Sequence, residues 1–219
     1  MLDIIIIGAG PAGISMAVEA RKSGISKEKI LVLEKSEEHS FTIKKYYPEN
    51  KLVTANYKGF AAACTGVMCL MDSSKHETIT FLDKSIQEND LLVRYNETVH
   101  KIHQVKDDQK FIVYTDNNIF ESKIIVIAVG ILGKPNKPDY KIPASLSNTV
   151  LYDVTSKDIS DSRVLVIGGG DSASEYCQYL VHKKNELTLS YRKPEFLRMN
   201  EINKASLLKL NEEKNVNLY

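Results

Sequence analysis

Asp3-Ile4-Ile5-Ile6-Ile7-Gly8-Ala9-Gly10-Pro11-Ala12-Gly13 is the stretch whose reading decides the fold. Four consecutive Ile residues read as a strand buried on both faces, the pattern of a parallel sheet. The strand runs directly into G-x-G-x-x-G, after which Ile14, Ala17 and Val18 recur at helical spacing. A glycine motif set between a buried strand and a helix is far more specific than the same motif alone. Gly8 permits the tight turn, Gly10 lets a diphosphate approach the backbone, and Gly13 lets the helix pack on the strand. Pro11 suits the first helical position, where its missing N–H costs nothing. The helix start, with Ala12, then offers free N–H groups and a positive dipole end to phosphate.

Moving outward, Ile30-Leu31-Val32-Leu33-Glu34 reads as the second parallel strand. Glu34 ends it, with Lys35 beside it, and a carboxylate at this spacing can accept both hydroxyls of an adenosine ribose. The plain alternative is a solvated strand-end Glu. Within Ser40 to Met71, Tyr46-Tyr47-Pro48-Glu49-Asn50 reads as turn and loop, since Pro48 pushes Tyr47 towards an extended conformation. Tyr57, Phe60 and Ala61-Ala62-Ala63 could line a flat ligand but are read as core. A helix is predicted over Glu77 to Asn89, then a short buried strand at Leu91 to Val93 and a strand over Thr98 to Val105. Phe111 to Thr115, the turn Asp116-Asn117-Asn118 and Ile119 to Ser122 carry a hairpin signal. Ile124 to Val129 reads as a further fully buried strand, closed by Gly130.

Gly133 to Pro143 holds three of the six Pro residues and is the best boundary in the chain. Beyond it the opening design returns. Arg163 to Ile167 is a strand, and Gly168-Gly169-Gly170-Asp171-Ser172-Ala173 is G-x-G-x-x-A, an allowed form of the same turn. A helix follows with Ala173, Tyr176, Cys177, Leu180 and Val181 on one face, then a strand over Leu187 to Tyr191. A helix over Glu201 to Glu213 and the start of a strand at Val216 close the chain. Here the second strand ends in Tyr191-Arg192-Lys193, with no acid. Arg and Lys pair with a ribose 2′-phosphate where a carboxylate repels it, so this unit leans to NADPH, with NADH the other option. The resulting expectation is an α/β chain: residues 1–133 a first nucleotide-binding domain with a small antiparallel meander, 134–161 a linker, and 162–219 part of a second such domain. Both bends are expected to leave bare amides for a diphosphate.

The formal net charge of +1 over 219 residues points to neither nucleic acid nor an anionic membrane. The longest apolar run, Ile4 to Val18, is short for a bilayer and broken by Gly and Pro. No positive residue precedes it as in a signal peptide. Three Cys without such a signal imply a reducing, cytoplasmic setting. No His or Cys set has metal-ligand spacing except His100-x-x-His103, which a strand would point to opposite faces; no metal is expected.

At its two bends the chain resembles the two-dinucleotide-binding-domain flavoproteins, above all the thioredoxin-reductase-like pyridine nucleotide oxidoreductases. The matching stretches are IIIIGAGPAGIS, VIAVGILGKPNKP and VLVIGGGDSASE. The resemblance implies that Gly8, Gly10, Pro11, Ala12, Gly13, Glu34 and Lys35 hold FAD. It also implies that Val99 contacts the adenine through its backbone and that Gly130 approaches the FAD. Gly168, Gly170, Asp171, Ser172, Ala173 and Glu175 match the NAD(P)H turn, and Arg192 with Lys193 matches the phosphate-binding position. Two departures stand out. Val150 to Arg163 has no Cys-x-x-Cys, and the first turn has Ala12 where bacillithiol-disulfide-reducing relatives have Cys. The family's further nicotinamide-domain strands and late Gly-Asp flavin segment are also absent, so the chain reads as truncated and is expected to bind FAD weakly, or not at all, without them.

Cys64 and Cys69 have the C-x-x-x-x-C spacing of a flavin-linked dithiol. They lack the surrounding residues of the glutathione-reductase-like enzymes and lie later in the chain, so they are read as buried small hydrophobes, with catalysis the lesser reading. Cys177 is read as core. The leading functional expectation is a flavin-dependent oxidoreductase passing hydride from NADPH to FAD and on to an unnamed small-molecule or protein acceptor. A flavin monooxygenase is second, although Asp153 stands where its linker motif would be. A non-catalytic nucleotide-binding or redox-sensing module is third. A homodimer is admitted by the sequence but not argued by it.

Overall fold

The computed structural model describes residues 1–49, 51–54, 63–105, 109–130 and 137–219. In chain order the elements are β1 (Leu2–Ile7), α1 (Pro11–Lys22), β2 (Ile30–Leu33), α2 (Phe41–Tyr46), β3 (Leu52–Val53), β4 (Ser73–Ser74), α3 (Lys75–Glu88), β5 (Val93–Arg94), β6 (Val99–Val105), β7 (Lys110–Thr115), β8 (Ile119–Ile127), β9 (Arg163–Ile167), α4 (Asp171–Val181), β10 (Glu186–Ser190), α5 (Glu201–Glu212) and β11 (Val216–Leu218). In their described residues they form two compact units. One comprises Met1–Lys44, Ala63–Met71 and His76–Gly133; the other comprises Lys45–Ala62, Asp72–Lys75 and Lys134–Tyr219.

The first unit is built on a six-stranded sheet in the order β5-β2-β1-β8-β7-β6. β1 runs parallel to β2 on one side and to β8 on the other. Its alternation divides the core: Ile4 and Ile6 pack with Ile14, Ala17 and Val18 of α1 and Leu82 of α3, while Ile5 and Ile7 pack with Leu31, Leu33 and Val113 on the opposite face. A strand clothed on both faces needs an unbroken apolar run, as in Ile4–Ile7. Each such side chain contributes about 1.5–3 kcal/mol of burial.

The predicted hairpin forms, with the Asn118 N–H donating to Thr115 Oγ1 across the turn at 2.9 Å. The strand after it differs from expectation. Ile119–Ser122 and Ile124–Ile127 are one continuous strand, which pairs antiparallel with β7 and then parallel with β1; Ser122 is opposite Phe111 on one side and Leu2 on the other. Nor is it fully buried. Ile125 and Val126 lean on the two cores, but Ile124 and Ile127, at the ends of that stretch, are 51% and 68% exposed, and Val129 is exposed beyond them. Among the described residues, the two cores pack against Ile125, Val126 and Ala128 and leave Ile124, Ile127 and Val129 uncovered.

The expected strand at Leu91 to Val93 is shifted to Val93–Arg94, because Leu92 is largely exposed and only Leu91 turns inward. Within Ser40 to Met71 the chain forms α2 and β3, on either side of the turn read at Tyr46 to Asn50, with Tyr46 itself ending α2; β4 follows the stretch. Tyr57, Phe60, Ala61 and Ala62 lie outside the described residues, as do Gly133 and Lys134, where the first domain boundary was expected; Ala63 is exposed rather than core.

The second unit has a parallel sheet in the order β11-β10-β9. α4 and α5 cover one core, in which Ala173, Cys177, Leu180, Leu187, Leu189, Leu207 and Val216 are buried together. Asn200 caps α5, its side chain accepting from the Asn203 N–H at 2.9 Å, which satisfies one of the open donors of that helix end. The short antiparallel pair β3–β4 belongs to this unit. Both sheets are thus of the Rossmann type, strand–turn–helix–strand with parallel pairing. Among the described residues no helix is long and apolar enough to cross a membrane.

Candidate functional site

The first bend lies between β1 and α1. Gly8 has φ +106°, a conformation open to Gly and strained for other residues, and a Cβ there would strike the Ala128 carbonyl. Its N–H donates to the Leu33 carbonyl at 2.7 Å, which fastens the turn to β2. Gly13 faces the carbonyl of Gly8 so closely that a Cβ would collide with it; this is the close helix-on-strand contact read from the motif. Gly10 differs, since a Cβ there would meet nothing within 4 Å. Gly10 is the N-cap of α1, in extended conformation and with no side chain capping the helix. Ile14 N–H makes the first helical bond, to Gly10 C=O at 3.0 Å, so the amides of Ala12 and Gly13 precede the helical ladder.

One amide of this bend is not bare. The Ala9 N–H donates to Glu34 Oε2 at 2.8 Å, and the Ser36 N–H donates to Glu34 Oε1 at 2.9 Å. Glu34 is therefore no solvated strand-end residue: it is buried and folded over the bend. The expectation of a fully free turn is corrected at Ala9, because a carboxylate ending β2 lies close enough to take that N–H. An ionised carboxylate has about four acceptor positions, and two are used. Beside it, the Glu97 N–H donates to the Glu34 carbonyl at 2.9 Å. Glu97 is itself buried, and its Oε2 is a buried side-chain oxygen without a partner among the described residues. Lys35 is exposed, Val99 is half-buried at the start of β6, and Gly130 is exposed with φ +66°.

The second bend repeats the turn geometry, but its helical ladder starts one residue earlier: the Ala173 N–H donates to the Gly170 carbonyl at 3.0 Å, so the expectation of bare amides is corrected at Ala173 too. Gly168 has φ +145°, and its N–H donates to Ser190 C=O, the last residue of β10, at 3.0 Å. Gly170 is an extended N-cap without a capping side chain, and its would-be Cβ direction is again open. The position after the second strand differs. Tyr191 stands where Glu34 stands in the first bend, and its ring lies on Gly169, so that a Cβ there would be 2.5 Å from it. The ring also stacks on Phe196 at 5.5 Å. Arg192 and Lys193 follow, both exposed, on a concavity of about 460 Å³ lined also by Leu189, Pro194 and Leu218.

The start of α4 carries a polar cluster that the sequence did not announce. Asp171 Oδ1 accepts from the Asn200 N–H at 2.8 Å and from Asn203 Nδ2 at 3.1 Å. Glu175, buried, accepts from Asn203 Nδ2 at 3.3 Å and is ion-paired with Lys51. The Lys51 ammonium also sits over the Tyr47 ring, 4.6 Å from its centre. Burial, and then the Glu175 charge, push the Tyr47 phenol above its usual pKa. These side chains line a cavity of about 140 Å³. Lys51 and Tyr47 come from a stretch without periodicity, so no sequence signal pointed to them; the Asn200–Asn203 pair could have been found as a helix cap. In the first unit, His39 went unread in the same way. It is buried, with Nε2 2.7 Å from Asp83 Oδ1 and Nδ1 3.1 Å from Ser40 Oγ.

Cys64 and Cys69 are not buried hydrophobes. Cys64 is exposed, Cys69 is half-buried, and the two form a disulfide with Cα atoms 5.1 Å apart. The correction is physical: no helix or strand carries 63–71, so the pair lies on an open loop. Cys177 is core as read, wholly buried, and burial pushes its thiol up to about 12.

Compared with known protein families, residues 5–217 match the model of the pyridine nucleotide-disulphide oxidoreductases. The chain belongs to that family. Within it, the chain is 32% identical over 199 residues to a ferredoxin–NADP reductase of Lactococcus lactis subsp. cremoris, covering 89% of this chain and 57% of the relative. Its fold superimposes on that of the bacillithiol disulfide reductase of Staphylococcus aureus with a TM-score of 0.76 at 19% identity, over 100% of this chain and 66% of the other. It superimposes on thioredoxin reductase of Lactococcus lactis with a TM-score of 0.72 at 24% identity, over 100% of this chain and 64% of the other. These two likenesses show a thioredoxin-reductase-like fold. The chain spans about half the length of the curated relatives it matches, 50–58%.

Proposed function

We propose that this chain supplies the FAD-binding and NAD(P)H-binding bends of a flavin-dependent oxidoreductase. The observation that carries the reading is the duplicated bend. In both, a positive-φ Gly is fastened to the second strand and an uncapped, extended Gly opens the helix. When bound, the two cofactors supply the redox chemistry, a hydride leaving the nicotinamide for the flavin ring.

The residues fit these groups. At the first bend the amides of Ala12 and Gly13 would hold the FAD diphosphate against the open side of Gly10. The unused acceptor positions of Glu34 would take the ribose hydroxyls, and the unpartnered Glu97 oxygen is a further acceptor at that end of the sheet. Val99 and Gly130 remain backbone contacts implied by the resemblance. At the second bend, the amides of Gly170 and Ser172 would receive the NADPH diphosphate, the Ala173 N–H being already bonded to the Gly170 carbonyl. Tyr191 would support the adenosine, and Arg192 and Lys193 would pair with its 2′-phosphate. Asp171 and Glu175 position the start of α4 through Asn203 and Lys51. No side chain need serve as acid or base in this half-reaction; the protein orients the groups and excludes water. The ferredoxin–NADP reductase and thioredoxin reductase likenesses support the class, and the reduced flavin hands its electrons to a small-molecule or protein acceptor.

The test is anaerobic mixing of the chain with excess FAD and NADPH, following flavin absorbance. Protein-dependent bleaching, faster with NADPH than with NADH, is the expected result. Bleaching no faster than in protein-free solution, at FAD and NADPH concentrations where fluorescence titration shows both nucleotides bound to the chain, overturns the reading.

A further inference from the structure

Ala9, the second residue of the first bend, is held from both sides. Its N–H donates to Glu34 Oε2 at 2.8 Å, and its carbonyl accepts from the Ser40 N–H at 2.9 Å. Ser40 lies just before α2 and is buried. Its φ of +53° puts it in the left-handed region, which glycine enters freely and where the Cβ of a serine is crowded. That conformation turns its two backbone groups to different uses. The N–H meets Ala9, while the carbonyl accepts from the Ile43 and Lys44 N–H groups at 2.9 and 3.0 Å and starts α2. A residue in an unfavourable conformation persists only where its surroundings over-determine it.

His39 supplies the remaining hold. Its ring is buried, with Nδ1 3.1 Å from Ser40 Oγ and Nε2 2.7 Å from Asp83 Oδ1 on α3. The Lys44 ammonium lies farther from Nε2, at 3.4 Å, and is paired with Glu38 at 2.9 Å. A carboxylate only accepts, so the shorter contact puts a proton on Nε2. In the neutral ring Nδ1 is then the acceptor, and the Ser40 hydroxyl donates to it. That bond fixes the hydroxyl where a buried O–H without a partner is costly. The imidazole is therefore a strut from α3 to Ser40, and Ser40 links the strut to the bend.

We propose that His39 is a positioning residue of the first nucleotide site. It holds Ser40 left-handed, Ser40 holds the Ala9 carbonyl, and the bend keeps the shape in which the Ala12 and Gly13 amides are free for a diphosphate. Neither His39 nor Ser40 needs to touch the nucleotide. The consequence for FAD rests on the reading of this bend as the FAD site; the latch itself is a property of the polypeptide and is tested without any nucleotide.

The test is amide hydrogen exchange of the isotope-labelled chain without nucleotide, followed by fluorescence titration of the same variants with FAD. In His39→Ala the protection of the Ser40 amide should fall about tenfold, while that of the Gly8 amide, bonded to Leu33, stays unchanged. Ser40→Ala should lose the same protection with the imidazole left in place. Ser40→Gly should keep it, because glycine takes the left-handed conformation unaided, and His39→Ala combined with Ser40→Gly should regain it. FAD affinity should be about tenfold weaker in His39→Ala and in Ser40→Ala, and the double variant should return close to wild type. A His39 that only packs α2 on α3 is not rescued by glycine at position 40, so a double variant no better than His39→Ala overturns the proposal. So does a Ser40 amide equally protected with and without the imidazole. Lost protection with unchanged FAD affinity overturns the role in the nucleotide site. A wild-type chain without FAD affinity fails the oxidoreductase reading instead, and the exchange at residue 40 still passes or fails the latch.

Discussion

The two bends are the same device with opposite finishes. In each, the first Gly donates its N–H to the last residue of the neighbouring strand, Leu33 or Ser190, and the third residue of the bend, Gly10 or Gly170, opens a helix with no side chain over it. The residue after that strand then folds back on the second residue of the bend. At the first bend this is Glu34, hydrogen-bonded to Ala9 N–H. At the second it is Tyr191, whose ring covers Gly169. One bend is finished by a buried carboxylate, the other by an aromatic ring followed by two exposed cations. The turn itself serves any diphosphate; the finishing residues decide which nucleotide follows it.

The sharpest way to break this comparison is at the helix-on-strand contact. Gly13→Ala should destabilise the first unit by about 3 kcal/mol, because its methyl has only the Gly8 carbonyl to meet. An Ala in a helix ordinarily gains stability over Gly, so a neutral or favourable change in thermal unfolding would contradict the packing. The counterpart, Ala173→Gly, should cost no more than about 1 kcal/mol, since the second bend is spaced for a methyl, the Gly168 Cβ direction lying 3.6 Å from Ala173 Cβ.

Next in size is Gly10→Val. The space there is open, so folding should be unaffected, yet FAD affinity by fluorescence titration should fall by about 100-fold, or roughly 2.7 kcal/mol. Unchanged affinity would mean that the diphosphate does not lie against Gly10. Third, Arg192→Ala with Lys193→Ala should weaken NADPH binding by about 10–100-fold and NADH by far less, losing one or two charge-assisted contacts. Calorimetric titration with both nucleotides reads this directly, and equal losses for the two would break the assignment of the finishing residues. The smallest effect is expected for Glu34→Gln, which keeps the shape but exchanges a charged acceptor for a neutral one at Ala9 N–H. A loss of about 1 kcal/mol in unfolding free energy is expected.

The bends were legible in the sequence because glycine at these positions answers to backbone geometry, which the motif encodes directly. Buried strands were legible where both faces are covered, as at Ile4–Ile7 and Ile30–Leu33. The same reasoning misplaced Ile124 and Ile127: an apolar run records a potential for burial, and cover depends on elements elsewhere in the chain. The role of Glu34 was only half legible. Its spacing marked it, but its bond to Ala9 depends on how the strand end meets the turn. The Lys51–Glu175 pair joins residues 124 positions apart, and Glu19 accepts from the Val67 N–H 48 positions away; no periodicity records such pairings. Cys64 and Cys69 were misread as core because a cysteine outside a recognised motif is ordinarily a small buried hydrophobe, while the loop they close is open in space.

The central claim, that each bend receives its own dinucleotide, is tested most directly by amide chemical shifts of the isotope-labelled chain titrated with FAD and, separately, with NADP⁺. FAD is expected to move the amides of Ala12 and Gly13 and leave those of Gly170 and Ser172 in place, and NADP⁺ is expected to do the reverse. Binding of either nucleotide without a shift at its bend, or both nucleotides moving the same bend, would contradict the account.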